Sequence, residues 1–502
     1  MNRSFSAHRV DMREKCRIYP LLFLLSFLFL LIQSHYTSPL FRILGGDSNI
    51  FASMGHYLLS GQTPYVDYFD HKGPMLIFFE AFGQYLFSDL FTGNFILEIL
   101  FLAVTLILMY RIGRYYLSVG NSFLIIFLTL LYFAFTIEGG RMCEQYCLPF
   151  IMLPVYYTVK FIEGDKMKLS VFEIIVIGAC SAIVFWVRLN NLACICACWL
   201  YVFIWFVKTK DWKQMKNLLL FSILGFLLVS APILIYFYYK QAFDEMIYAT
   251  FTFNFMYTQK IMETVNKAKE FSTLELIRIG VVRFAPLLVI LSSAAIAYFS
   301  NDGKKRSYVL LMILMLLFTV LSTQTGILAL HYMTSILPAV ALGFVLLLSS
   351  MRCISQRGKV TLWLNIVCIL LLLVVQVLKI RQNQYYDAIL QKQEVVLYEL
   401  ITPVPKEDYD KIYPYNVFCL NSPKGDFFIK PYYRYVFSQN THGYVDNRIF
   451  EGVNDMMQTN PPKWLVQGNV RKDYNPHFSE IVKARYSLVK KVDSMTLYRL
   501  ND

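Results

Sequence analysis

The chain has 502 residues, of which 57% are hydrophobic and only 16% charged. Soluble domains carry about 25% charged residues, so a water-soluble globule is excluded and a membrane protein is indicated. The net charge of +13 does not point to nucleic acid, because many of the Lys and Arg residues sit in short loops between apolar runs.

In chain order, residues 1–18 are basic (Arg3, Arg9, Arg13, Lys15, Arg17) and 19–34 apolar. The pattern is that of a signal peptide, but the QSHYTSP that follows offers no small-residue cleavage site, so an uncleaved first span is expected. The stretch 45–74, GGDSNIFASMGHYLLSGQTPYVDYFDHKGP, comes next and collects Asp47, Asp67, Asp70, His71 and Lys72. Ile50, Phe51, Met54, Tyr57 and Leu58 fall on one helical face. Asp47 or Ser48 is expected to cap that helix and Gly61 to end it. Pro64 should start an extended link, and Pro74 should open a second helix. Within 74–91, Glu80 and Gln84 form a polar stripe on a helix expected to lie in the membrane interface rather than to cross.

Apolar runs of membrane length give candidate spans at 19–35, 92–110, 121–137, 146–160, 171–187, 191–207, 217–239, 279–299, 307–322, 332–350 and 361–378. Alternating the sides puts 20 Lys and Arg in the short loops of one face and eight in those of the other. The first face is therefore cytoplasmic, and the loop 36–91, the long loop 240–275 and the tail lie outside. This assignment requires that 74–91 does not cross. The expected fold is an α-helical polytopic membrane protein of about 11 transmembrane helices, with interfacial helices in the first outer loop, plus a small C-terminal α/β domain. The domains are expected at 1–378 and 379–502, in a plasma or bacterial inner membrane. In the tail, 415–420, 463–467, 486–491 and 495–500 read as strands, the last two joined at Asp493-Ser494. Ile449, Phe450, Val453, Met456 and Met457 mark a helix between them.

The ten cysteines form no disulfide framework. Cys180, Cys194, Cys196, Cys198 and Cys368 lie in apolar runs as packing residues, Cys419 is alone in the tail, and Cys143 and Cys147 can pair or stay free. Ionisable residues crowd the outer ends of the spans. They are Asp47, Asp70, His71 and Lys72 in the first loop, then Glu138, Arg141 and Glu144. Arg188 follows with Asn190 and Asn191, then Arg278 and Arg283, then His331 and Tyr332. A proton- or ion-coupled transporter would place such groups near the midplane; clustering at one mouth suits a site for lipid head groups and outside solutes.

These residues carry a resemblance. Asp47, the turn Gly61-Gln62-Thr63-Pro64-Tyr65 and the run Asp70-His71-Lys72-Gly73-Pro74 resemble the first outer loop of GT-C type polyprenyl-phosphate-sugar-dependent glycosyltransferases. Protein O-mannosyltransferases and lipid A aminoarabinose transferases are among that family. GGRMCEQYCLP resembles its second-loop motif, with Glu144 at the acid, and HYMTSILP (331–338) its late aromatic-to-proline motif. Two departures stand out: Ser48 occupies the place of a frequent second acid, and Lys-Gly-Pro replaces Lys-Pro-Pro. The resemblance implies transfer of a sugar from a polyprenyl-phosphate donor, with inversion, to a glycan, lipid or protein acceptor.

Such transfer needs a base at the acceptor hydroxyl and cations for the departing phosphate. Asp47 and Glu144 are the catalytic candidates, and Lys72, Arg188 and Arg283 the phosphate-binding ones. Asp70, His71, His331 and Tyr332 are candidates for the acceptor or for a divalent metal. Ordinary readings compete: Asp47 as a helix cap, Lys72 snorkelling to the interface, Arg141 and Glu144 in local ion pairs, Arg278 and Arg283 as interfacial anchors. Three other functions compete as well: a transporter or flippase of lipid-linked glycans, an enzyme using pyrophosphate-linked donors, and a non-catalytic anchor for the tail.

Overall fold

The computed structural model describes residues 10–41, 45–265, 273–300, 302–323, 330–350, 358–417, 429–468 and 474–501. Its helices are α1 (Met12–Gln33), α2 (Asp47–Leu59), α3 (Pro74–Phe87), α4 (Thr92–Gly113), α5 (Val119–Thr136), α6 (Cys143–Glu163), α7 (Val171–Val187), α8 (Ala193–Thr209), α9 (Trp212–Tyr239), α10 (Phe243–Ile247), α11 (Phe253–Val265), α12 (Thr273–Ser300), α13 (Gly303–Thr323), α14 (Leu337–Ser350), α15 (Gly358–Ile401), α16 (Gln439–Val445), α17 (Asn447–Thr459) and α18 (Pro476–Arg485). The expected spans fall on these helices, the one at 332–350 opening in a 3-10 helix at Leu330–Ile336. Among the described residues, eight stretches are long and apolar enough to cross a bilayer, and Val171–Val187 and Val282–Tyr298 are shorter apolar helices. Leu220, Ile223, Leu227 and Leu228 on α9, and Leu362, Trp363, Leu370 and Leu373 on α15, are exposed, as expected of faces that lipid covers. The protein is thus an integral, multi-pass membrane protein.

The chain groups into two compact bodies. The first comprises Met1–Ser34, Ile96–Pro232 and Lys269–Arg381, and the second His35–Phe95, Ile233–Ala268 and Gln382–Asp502. In the first body, α7 opens with a reciprocal cap in which Ser170 accepts from the Glu173 amide and Glu173 accepts from the Ser170 amide. Helices α7 and α9 cross so closely that a Cβ on Gly178 would lie 2.2 Å from the Ser222 carbonyl oxygen, and one on Gly225 2.0 Å from that of Ile175. Small residues that let backbones meet are the usual means of packing helices in lipid.

In the second body, α3 has 14 residues, about 21 Å of helix, too short for a hydrocarbon core of about 30 Å. Its polar stripe turns inward. Glu80 and Gln84 are buried; Asn94 Nδ2 donates to Glu80 at 3.0 Å and Gln84 Nε2 to the Ala52 carbonyl at 2.9 Å. Phe82, Tyr85, Leu86 and Phe87 face outward instead. The long loop expected at 240–275 is helical from Phe243 on where it is described. It consists of α10, a π-helical turn at Tyr248–Thr252 and α11. Helix α15 runs 23 residues past the expected end of its span, to Ile401, because 379–401 contains neither Gly nor Pro.

The tail forms a four-stranded sheet in the order β1-β2-β4-β3. Its strands are β1 (Ile412–Tyr415), β2 (Trp464–Gly468), β3 (Tyr486–Val492) and β4 (Met495–Leu500). Strands β1 and β2 are parallel, and the other pairs antiparallel. The first strand corrects the expectation of 415–420. It ends at Tyr415 because Asn416 takes a left-handed φ of 55°; 418–420, including Cys419, lie outside the described residues. The expected hairpin turns at Asp493 (φ 49°). The face of α17 (Ile449, Phe450, Val453, Met456, Met457) is buried as expected, three of the five residues in a core with Tyr413, Tyr415, Leu465 and Phe478.

Candidate functional site

Two polar clusters emerge, one in each body. In the second body the sequence 60–74 folds into a series of tight turns. Gly61 ends α2 with φ 87° and donates its N–H to the Leu58 carbonyl, as expected of a C′ glycine. Asp67 closes the next turn, accepting the Thr63 amide at 2.7 Å, so it serves the backbone. Tyr65 is left-handed (φ 70°), and its hydroxyl donates to the Lys72 carbonyl at 2.8 Å. Asp70 accepts the Lys72 amide at 3.0 Å, the Asx turn typical of Asp. The Lys72 ammonium lies 3.1 Å from His71 Nε2, 3.9 Å from Asp70 and 5.6 Å from the centre of the Phe51 ring.

The cap expected of Asp47 or Ser48 is not formed by either. The N-cap is Gly46, and the Ser48 hydroxyl turns back to the Gly45 carbonyl at 2.7 Å. Asp47 is the first helical residue and exposed, with no hydrogen bond or ion pair among the described residues.

The tail contributes His442, a residue the sequence reading did not single out. It lies on α16, 3% exposed, with its ring perpendicular to His71 at 5.4 Å. Phe253 and Phe69 stand edge-on to it, and Tyr257 stacks on His71 at 4.8 Å. One ligand atom each from Asp70, His71 and His442 lies within 4.8 Å of the others. Nothing in the sequence links one of the two histidines of the tail to a loop some 370 residues earlier.

Burial pushes the His442 imidazole down to about 4, with Asp70, Lys72 and Asp47 adding smaller electrostatic effects. The unfolded chain takes up this proton near 6.5, so the neutral ring contributes stability that is complete above pH 6.5 and is lost as pH falls from 6.5 to 4. The two values differ by the equivalent of about 3 kcal/mol. Thermal melts of metal-free protein in detergent are expected to fall across this interval, and to fall less for His442→Phe. Equal slopes for the two proteins would show that another group controls acid stability.

In the first body, the Arg188 guanidinium donates to Glu144 at 3.0 Å and to the Tyr332 hydroxyl at 2.8 Å, and lies 4.4 Å from the Tyr332 ring centre. This leaves the Tyr332 hydroxyl proton available for donation. His331 Nδ1 pairs with Glu138 at 2.6 Å. Four successive residues, Glu138, Gly139, Gly140 and Arg141, have positive φ (24°, 94°, 84°, 56°). A Cβ on Gly140 would come within 1.9 Å of Ser34 Oγ, so only glycine fits there. The buried Glu98 carboxylate secures this strained turn, accepting the Arg141 amide at 2.5 Å and the Ser34 hydroxyl at 2.6 Å. Glu98 was also missed by the sequence reading, although an acid within an apolar span is itself a signal of function or partnership.

The structure thus joins Glu144, Arg188, His331 and Tyr332, together with Glu138, in one cluster, and Asp70, His71 and Lys72 in the other. Arg283 stands apart: it is exposed on α12, with no ion pair among the described residues. Cys143 and Cys147 are both buried and are not joined to each other by a disulfide.

No protein-family model matches the chain, and no curated protein sequence does. Among solved structures, the crystal structure of ArnT from Cupriavidus metallidurans bound to undecaprenyl phosphate matches it with a TM-score of 0.58 at 10% identity. The match covers 97% of this chain and 98% of that one. The chain therefore shares that structure's fold over nearly its whole length, in keeping with the resemblance of the first loop.

Proposed function

We propose that the protein is a membrane glycosyltransferase that takes a sugar from a polyprenyl-phosphate donor and passes it to an acceptor on the extracytoplasmic side. The observation that carries this reading is the first loop. Within a fold shared with a protein crystallised on undecaprenyl phosphate, it presents an exposed, uncommitted Asp47 at the start of one helix and Lys72 at the threshold of the next.

The chemistry follows from these groups. Asp47 takes the proton of the acceptor hydroxyl as its oxygen forms a bond to the anomeric carbon. The bond from that carbon to the phosphate oxygen breaks, and the electron pair leaves with the polyprenyl phosphate. A single displacement of this kind inverts the anomeric centre. Lys72 neutralises the charge that develops on the phosphate; in the other body, Arg188 with the free O–H of Tyr332 is the alternative group for that role. Glu144 holds Arg188 in place.

A divalent cation belongs to the proposal. One carboxylate and two imidazoles form a donor set suited to zinc, and the neutral His442 needs no deprotonation to bind. When held there, the cation supplies positive charge beside Lys72. Elemental analysis of protein purified without chelator is expected to find about one equivalent, lost in Asp70→Asn and His442→Asn. Full metal content in both variants would remove this site.

The function is tested with purified protein, a labelled polyprenyl-phosphate sugar and candidate acceptors. Release of polyprenyl phosphate that depends on acceptor is expected. In proteoliposomes, donor that crosses the bilayer with its sugar still attached would instead identify a flippase.

A further inference from the structure

We infer that Arg434, in the C-terminal domain, is a positioning residue that sets the acid–lysine turn of the first loop; this rests on the glycosyltransferase reading only for its effect on turnover. Arg434 holds the loop at two points. Its guanidinium donates to the Tyr65 carbonyl at 2.7 Å, and its own carbonyl accepts the Phe69 amide at 2.8 Å. These contacts bracket the segment immediately before Asp70, His71 and Lys72.

The first contact is the more telling. Tyr65 is a fully buried, left-handed residue, a conformation that costs of order 1 kcal/mol or more and persists only where the surroundings enforce it. Arg434 fastens its carbonyl, and its hydroxyl in turn fastens the Lys72 carbonyl. A continuous path thus runs from the guanidinium through Tyr65 to the backbone of the proposed phosphate-binding lysine. Glu245, at the start of the long outer loop, orients the guanidinium with a two-point contact of 3.1 and 2.5 Å. Burial disfavours the Arg434 charge, but Glu245 outweighs it and keeps the guanidinium protonated. The Phe69 and Tyr435 rings lie 6.0 and 5.2 Å from the guanidinium carbon.

Lysine cannot replace this arrangement, because a single ammonium cannot grip a carboxylate at two points and a carbonyl at once. The C-terminal domain therefore has a task beyond its own fold: it supplies the fixed post to which the loop is tied.

The test uses full-length Arg434→Lys, Arg434→Ala and Glu245→Gln in detergent, with two readouts. Hydrogen–deuterium exchange is expected to rise at least tenfold in peptides covering 63–74, with the peptides of β2, β3 and β4 unchanged. The donor KM is expected to rise about tenfold in Arg434→Ala, less in Glu245→Gln, with the acceptor KM unchanged. Should Arg434→Ala fail to fold, Arg434→Lys and Glu245→Gln carry the same comparison. Unchanged exchange at 63–74 in every folded variant would overturn the inference. Faster exchange in a protein that never releases polyprenyl phosphate, the wild type included, would uphold the positioning and reject the glycosyltransferase reading.

Discussion

Asp47→Asn is expected to lower sugar transfer by about 10²–10⁴-fold, the range for loss of a positioned general base, while leaving the protein folded. The two effects separate because of how the helix begins. Gly46 is the N-cap and Ser48 bonds to Gly45, so the Asp47 carboxylate closes no turn and satisfies no helix amide. Among the described residues, its main structural contribution is a negative charge at a helix N-terminus, worth about 0.3–1 kcal/mol. The predicted loss of rate corresponds to about 2.7–5.4 kcal/mol of barrier. Steady-state turnover and a thermal melt on the same preparation therefore distinguish a base from a helix-stabilising charge. Undiminished turnover in Asp47→Asn would remove this residue from the mechanism.

Arg188→Met should destabilise the first body, because it strands Glu144, which is 2% exposed. Breaking a buried pair by removing one partner costs about 3–5 kcal/mol; Arg188 itself keeps 23% exposure, which favours the lower end. The double variant Arg188→Met, Glu144→Leu removes both charges and is expected to recover most of the melting temperature, since a buried pair replaced by apolar groups is often neutral. Turnover should stay low in the double variant, because the cation beside Tyr332 is still missing. Recovery of turnover along with stability would mean that the pair serves the fold alone and that phosphate is neutralised elsewhere.

Local features of the fold were legible in the sequence. The α2 face, the Pro74 start of α3, the α17 face and the β3–β4 hairpin all appear where periodicity and turn residues put them. Where the reading slipped, a local conformation was the reason. Asn416 ends β1 early with its left-handed φ, and Gly46 takes the cap position from its more usual occupants. The candidate site was partly legible. The resemblance drew out Asp47, Lys72, Glu144 and Tyr332, and its place at the outer end of a span drew out Arg188, but the residues that hold them escaped notice. Glu98 looked like one more residue of an apolar span, and Arg434 and His442 like ordinary members of a polar tail.

That division has a physical cause. By itself the sequence determined which apolar segments are helical, which are long enough to cross a membrane, and where the acidic loop begins and turns. These depend on residues within a turn or two of one another. Only the tertiary structure decided which ionisable groups meet: Glu98 with Ser34 and Arg141, Arg188 with Tyr332, Arg434 with Tyr65, and His442 with Asp70 and His71. Such pairs are chosen by packing between distant segments, where the cost of burying a charge selects the partner, and local periodicity carries no record of that choice.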